Sequence, residues 1–394
     1  MKRHYNSAES IGKLSQIARA GESHHREEHL KITDVKATIV DLGQLEQPFW
    51  NSIIKTTKTR RGRIEVYTDE GPVGMAPWSA STSTQVTILG SIRDKLVGED
   101  PLRIDYLWGK MYMGRTRKPV AKGGYIVSMS VVDNALWDLK GKILGQPVWK
   151  LAGGAQDRVW AYAAGGYYAE GKGLKELCRE LESYVADGFG AVKMKVGWPG
   201  VSIRDDVERV RAVREAIGPE VELMVDANNA WDANTAIRFG RLVEKYDPYW
   251  FEEPVHADDL KGAARVAAAL DMPVASGENE FTRWGFRDLI ESGATEVVQA
   301  DPNICGGISE YLKIAAIASA NHLKMAPHGN PNVGSCCVAA MENGLITENY
   351  PTSFKNVLMG PVDFRKDGYI YMSEKPGLGI EWDERVLEKY RASA

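Results

Sequence analysis

The stretch AVKMKVGWPGVSIRDDVERVRAVREAIGPEVELMVDAN, residues 191–228, decides the fold. It begins and ends in short apolar runs that finish in ionisable residues, Lys193 and Lys195 in the first and Asp226 in the second. Between them Val207, Val210, Val213 and Ile217 recur at helical spacing, so the unit reads strand, helix, strand. Working outward, the same unit precedes it as VWAYAA (159–164) and LKELCRELESYVADG (174–188), where Leu174, Leu177, Cys178, Leu181 and Val185 share a face and Gly188 is the stop. It continues through WFEEP (250–254), VASGE (274–278), VVQAD (297–301), KMAPH (324–328) and GLITE (344–348). Eight strands fall between 158 and 348, one every 20 to 31 residues, which predicts a parallel (β/α)8 barrel rather than a doubly wound sheet.

A barrel of this kind gathers the C-terminal ends of its strands at one mouth, so residues far apart in sequence converge there. Asp226, Glu252 and Glu278 end three consecutive strands at intervals of 26 residues. Singly, each could be a helix N-cap. Together they would repel one another unless a cation neutralised them, and an oxygen-only set without His or Cys favours Mg2+. Lys193 and Lys195, two apart on a strand, share the inward face. A lone lysine at a strand end commonly snorkels to solvent. In a pair, mutual repulsion and desolvation are expected to lower the proton affinity of each and leave a usable base. His328 ends one strand and Asp301 the strand before it, which predicts an Asp–His hydrogen bond. Glu348 completes the ring, and if protonated it would donate a hydrogen bond to a developing enolate oxygen. Glu253 faces away from Glu252 and reads as supporting structure, whereas His256 in HADD (256–259) lies in a loop from which it could reach a substrate.

The chain has 394 residues, 44% apolar and 26% charged, with a net charge of −4, an ordinary enzyme composition. No apolar run is long enough to span a membrane, and no basic cluster is large enough for a nucleic-acid face; RTRK (115–118) and KTRR (58–61) read as solvated loop charge. Cys178, Cys305, Cys336 and Cys337 show no metal spacing, which suits a reducing cytoplasm. Residues 1–30 read as an extension, possessing Ile11, Leu14 and Ile17 at helical spacing and His24, His25 and His29 in a polar setting, without the apolar core of a signal peptide.

Residues 31–155 have another texture. ITDVKATIV (32–40) and GRIEVYTDEG (62–71) alternate as half-buried strands. Two helices follow, one with Val86, Leu89, Ile92 and Leu96 inward, the other with Val131, Ala135, Leu136, Leu139 and Ile143 inward and Gly145 as its end. This predicts a separate α+β domain ahead of a barrel over 156–360, and GYIYMSEKPGLGIEW (368–382) reads as strand and loop returning to it within a 361–394 segment.

These residues resemble the enolase superfamily and, more closely, its mandelate racemase subgroup. The match runs from about 32 to 385 and rests on VVDNALWDLKGKILGQPVWKLAGG (131–154), the Lys193/Lys195 pair, the three acids, Asp301 with His328, and Glu348. The resemblance implies a modified TIM barrel, (β/α)7β, with an N-terminal α+β capping domain completed by the C-terminal segment. It implies Mg2+ on Asp226, Glu252 and Glu278, Lys195 as one base, His328 with Asp301 as the other, and Glu348 as electrophile. Lys193 would contact the substrate carboxylate and Asn228 the α-hydroxyl. It also implies a homo-oligomer, an octamer or smaller. The 30-residue extension is a departure that the resemblance does not explain.

The shared first step is removal of the proton α to a carboxylate, helped by charge stabilisation of an enediolate. Loss of a β-hydroxyl then gives a 2-keto-3-deoxy acid; reprotonation on the opposite face gives racemisation or epimerisation. The resemblance favours dehydration of a sugar acid, an aldonate or aldarate. In the segments 41–62 and 77–84, Gln44, Gln47, Lys55 and Arg60 would suit a polyol, while Phe49, Trp50, Ile53 and Trp78 would suit an apolar acid. A cycloisomerase or dipeptide epimerase of the superfamily is expected to carry a sixth-strand lysine, which VVQADPNICGG lacks, so that reading falls. A lysine Schiff-base barrel would need no metal, and a pure binding protein would bury these charges without using them.

Overall fold

The computed structural model describes residues 30–113, 121–351 and 358–391. Residues 1–29 of the extension, among them His24, His25 and His29, and RTRK lie outside the described residues. Three strands open the chain, β1 (Ile32–Trp50), β2 (Lys55–Thr68) and β3 (Val73–Trp78), paired antiparallel in the order β3-β2-β1. KTRR therefore lies within β2 rather than in a loop. Against this sheet packs the long helix α1 (Gly124–Leu144), with Val131, Ala135, Leu136 and Leu139 buried and Gly145 closing it in the left-handed conformation at φ 63°.

The helical stretch before α1 departs from expectation. Thr84, Ile88, Ile92 and Leu96 are buried, whereas Val86 and Leu89 are 64% and 41% exposed. Residues Ile88–Ile92 form a π-turn, and the wider turn brings every fourth residue inward instead of alternating threes and fours.

The barrel is built from β4 (Arg158–Ala164), β6 (Ala191–Lys195), β7 (Glu222–Asp226), β8 (Pro248–Glu252), β9 (Val274–Ser276), β10 (Val297–Val298), β11 (Lys324–Met325) and β12 (Thr347–Asn349). Between β4 and β6 lies the two-residue strand β5 (Tyr168–Ala169), which pairs with the end of β1 and not with the barrel. Neighbours are parallel, and β12 closes the ring by pairing with β4, reaching β11 through a bridge between Met325 and Gly344. Seven helices link the eight strands among the described residues, a (β/α)7β barrel. Alternation divides each strand: Val192, Met194, Leu223, Val225 and Phe251 pack outward among the helices, while Tyr162, Ala191, Met224, Trp250, Ala275, Val297, Ala326 and Ile346 fill the interior. No described helix is long and apolar enough to cross a membrane.

The C-terminal segment does two things. Its hairpin, β13 (Asp363–Phe364) with β14 (Tyr369–Tyr371), lies antiparallel on β4. Further on, it returns to the cap: Leu378 N–H donates to Asp138 of α1 at 2.7 Å, and Leu387 joins Val40, Leu358 and Met359 in a small core.

The cap also fastens the barrel. Asp133 of α1 accepts from the N–H and hydroxyl of Ser309 at 2.9 and 2.7 Å, and Asn134 accepts from Ile308 N–H at 3.0 Å. These bonds hold the start of the helix Ile308–Ala320, which follows the loop after Asp301. A motif in the cap thereby fixes a residue of the mouth.

Candidate active site

Strand register explains the convergence. Lys195 pairs with Asp226 and Asp226 with Glu252 across β6, β7 and β8, and Glu348 pairs with Tyr162 where β12 meets β4. Asp226, Glu252 and Glu348 each sit two residues beyond an interior-filling one, and Lys195 sits four beyond Ala191, so the polar ring lies directly on the apolar barrel core. Glu278 lies just past β9. Gly277, at φ 132°, turns the chain there, and a Cβ on it would come within 2.8 Å of Phe286.

One oxygen each from Asp226, Glu252 and Glu278 lies within 4.8 Å of the others. Asp226 and Glu252 are fully buried and Glu278 nearly so. Lys193, also fully buried, sits 2.6 Å from Glu252, 2.8 Å from Glu348 and 3.8 Å from Asp226. Lys195 is hydrogen-bonded to Asp226. Across the ring, His328 Nδ1 lies 2.9 Å from Asp301, while Nε2 faces Glu278 at 3.5 Å and Glu348 at 3.8 Å. Gly329, at φ 96°, admits this arrangement, because a Cβ there would lie 2.7 Å from the Asp301 oxygen; its N–H donates to Glu348 at 2.8 Å.

The electrostatics correct two expectations. Burial would lower both lysines, but the attraction of Glu252 and Glu348 for Lys193, and of Asp226 for Lys195, outweighs burial and mutual repulsion, so both are raised. Burial would likewise raise Glu348, but Lys193, His328 and Lys195 hold it down at about 2, an ionised carboxylate and not a neutral donor. Glu252 goes the other way, pushed up to about 8 by burial and the nearby Asp226 charge. Negative charge is thus in surplus here. Glu278 Oε2 is also buried with no hydrogen bond. Clustered hard oxygens, surplus negative charge and a buried carboxylate oxygen without a hydrogen bond fit a divalent cation of the Mg2+ type.

Asn228, at φ 41°, keeps its side-chain oxygen buried and without a hydrogen bond, and its N–H donates to Asp226 at 2.8 Å. Glu253 turns away, as expected, and accepts from Asn229 at 2.6 Å and Asn279 at 2.8 Å. His256 is not brought to the cluster: its side chain is 73% exposed and bonded within its own loop to Asp258 N–H.

The cap covers the mouth with Phe49 and Trp50 of the expected set, and not with the others. Gln44, Gln47, Lys55 and Ile53 are exposed, Arg60 pairs with Asp41 at 2.9 Å, and Trp78 is buried in the cap core. Instead the end of β1 pairs with β5, Phe49 meets Tyr167 at 4.7 Å and Trp50 meets Trp198 at 5.7 Å. Ser52 donates to the Asn228 carbonyl at 2.6 Å. Sequence reasoning also missed Gln299 and Trp250, which donate to Glu252 at 2.8 and 3.0 Å, and Tyr350, which donates to Glu348 at 2.6 Å. The signal was available for all three, since each lies two residues from a named acid on a strand or its continuation.

A closed (β/α)7β barrel under an α+β cap, with carboxylates ringed at its mouth, defines the enolase class of fold. The chain belongs to the mandelate racemase/muconate lactonizing enzyme family: residues 34–153 match its N-terminal domain, and residues 176–386 match the enolase C-terminal domain-like family. It is 36% identical over 342 residues to arabinonate dehydratase of Saccharolobus solfataricus, covering 84% of this chain and 90% of that protein. It is 30% identical over 380 residues to D-galactarolactone cycloisomerase of Agrobacterium fabrum, covering 92% and 99%. A cycloisomerase thus stands among its relatives, although VVQADPNICGG of this chain carries no lysine. A crystal structure of L-talarate/galactarate dehydratase from Salmonella typhimurium LT2, liganded with Mg and L-lyxarohydroxamate, superposes with a TM-score of 0.85 at 31% identity, covering 95% of this chain and 96% of that one.

Proposed function

We propose that the chain is a Mg2+-dependent hydro-lyase acting on a sugar acid, an aldonate or aldarate, and forming a 2-keto-3-deoxy acid. The observation that carries this reading is two-sidedness: Lys195 enters the acid cluster at Asp226 and His328 enters it at Glu278. The dehydratases among its relatives support the choice of chemistry.

In this reading Asp226, Glu252 and Glu278 hold Mg2+, which when bound draws charge from the substrate carboxylate and so stabilises an enediolate. Lys193 adds a fixed positive charge beside that carboxylate, and Asn228 Oδ1 accepts from the α-hydroxyl. The surrounding carboxylates hold both Lys195 and His328 protonated; with that negative charge taken up by a bound cation, one of the two would stand as the free base and take the proton from C2, and the C–H electron pair becomes the enediolate double bond. As the enediolate collapses, the C3–O bond breaks, and a proton from the opposite side leaves with the hydroxyl as water. The enol then gives up its hydroxyl proton and takes one at C3, which yields the keto acid. Asp301 fixes the His328 ring throughout. Glu348, ionised here, keeps Lys193 charged and in place.

A racemase or epimerase of a 2-hydroxy acid would use the same two bases, and two-sidedness supports it as well. We further assign the protein to a reducing cytoplasm, consistent with four unpaired cysteines, and to a homo-oligomer, consistent with exposed Val86 and Leu89 on the cap.

The test is incubation with Mg2+ and a panel of mono- and diacid sugars in D2O, with Lys195→Ala and His328→Asn in parallel. A 2-keto-3-deoxy product lost in either variant supports dehydration. Deuterium entering C2 with no keto product moves the assignment to racemase or epimerase.

A further inference from the structure

We propose that Tyr350 is a positioning residue of this site, locking the Glu348 carboxylate toward Lys193 and His328. The inference rests on the functional reading above. Tyr350 lies two residues after Glu348, so the two side chains leave the last barrel strand on the same face. Its hydroxyl donates to Glu348 Oε2 at 2.6 Å and lies 3.5 Å from His328 Nε2.

Glu348 has few other restraints on its orientation. Oε2 takes a second bond from Gly329 N–H at 2.8 Å, while Oε1 is buried without a hydrogen bond and meets Lys193 only as an ion pair at 2.8 Å. Two donors on one oxygen fix the rotation of the carboxylate plane; one donor does not. A hydroxyl bonded to an ionised oxygen is also the short, strong kind of hydrogen bond. The Gly329 bond ties Glu348 to the backbone beside His328, and the Tyr350 hydroxyl spans the side chains of the two. Removing the hydroxyl leaves Oε1 free to turn from Lys193, and the positive charge beside the substrate carboxylate then loses its fixed position.

The hydroxyl acts on the enzyme's own carboxylate, so its loss should appear in turnover and not in substrate affinity. Tyr350→Phe deletes one oxygen and keeps the ring. With Mg2+ and the substrate identified for the wild type, kcat should fall roughly tenfold to a hundredfold, with KM changed by less than about twofold and thermal unfolding shifted by only a few degrees. Tyr350→Met, of similar bulk, should show the same loss in kcat if the phenylalanine variant folds poorly. A kcat within about twofold of wild type, or a raised KM with kcat intact, overturns the inference, the second result making Tyr350 a substrate contact. A wild type that yields no keto acid from any sugar acid defeats the functional reading instead, so the two failures are distinguishable.

Discussion

Asp301 meets His328 at 2.9 Å, carboxylate oxygen to Nδ1, and so leaves Nε2 as the nitrogen that faces the acid cluster. A carboxylate in that position accepts from Nδ1–H and favours the imidazolium. Burial would lower the His328 pKa, but Glu278, Glu348 and Asp301 together raise it well above the usual histidine value. Asp301→Asn keeps the shape, removes the charge and permits the wrong tautomer. The expected outcome is a kcat lower by roughly a hundredfold to ten-thousandfold, with KM changed little and the circular dichroism spectrum unchanged. Wild-type turnover in this variant would remove His328 from the list of bases.

The acid cluster predicts a stability effect that can be measured without substrate. A cation that binds only the folded chain at 100 times its dissociation constant adds about 2.7 kcal/mol of stability. Titrating Mg2+ should therefore raise Tm by several degrees, and a chelator should reverse the gain. Glu278→Gln keeps the size of the side chain and removes its charge, so Mg2+ affinity by calorimetry should fall at least about tenfold. Equal affinity in the variant would mean that the cation, if bound, lies elsewhere.

Much of this was legible in the sequence for one physical reason. A parallel barrel turns periodicity into position, so a residue that ends an apolar run must stand at the mouth. Lys195, Asp226 and Glu252 needed no more than that, and their register confirms it. What stayed hidden depends on three-dimensional neighbours. The charge states depend on the carboxylates that surround each lysine, and sequence spacing shows only that the two lysines share a face. Cap residues were misassigned because polar type does not say which face of a strand is covered, and Arg60 turned out to serve Asp41. A 3.6-residue period turns Val86 and Leu89 inward, and the π-turn does not keep that period. For His256 the sequence shows only its loop, and a loop sets neither direction nor reach.

The cap–barrel fastener carries a pH signature. Burial pushes Asp133 up to about 7 from an unperturbed 3.8, against the lowering effect of its bonds from Ser309. An acid whose folded-state value lies above its unfolded value holds its proton more tightly when folded, so its contribution is present at low pH and is lost as pH rises from about 4 to about 7. The loss amounts to a few kcal/mol at most. Asp133→Asn mimics the protonated acid. Across pH 5 to 8 the wild type should lose more stability than the variant, and denaturant titrations at each pH would show it. Parallel pH profiles would mean that Asp133 has an ordinary pKa.

Ser52 joins the cap to the mouth through one bond, its hydroxyl donating to the Asn228 carbonyl at 2.6 Å. The turn that carries it is held by Asn51, whose side chain accepts from the N–H groups of Ile53 and Ile54. Asn228 sits in the left-handed region, which asparagine tolerates better than most residues; its N–H donates to Asp226, and its Oδ1 is buried without a hydrogen bond. Ser52→Ala should therefore cost only about 1 kcal/mol of stability. Its larger effect should fall on binding, because a loosened segment no longer fixes the backbone that orients Asn228. KM is expected to rise roughly threefold to tenfold with kcat nearly unchanged, which is the pattern for an interaction shared by ground state and transition state. Faster amide exchange over residues 49–54 should accompany it. If KM is unchanged while that segment exchanges faster, the latch is structural and the cap orders substrate by another contact.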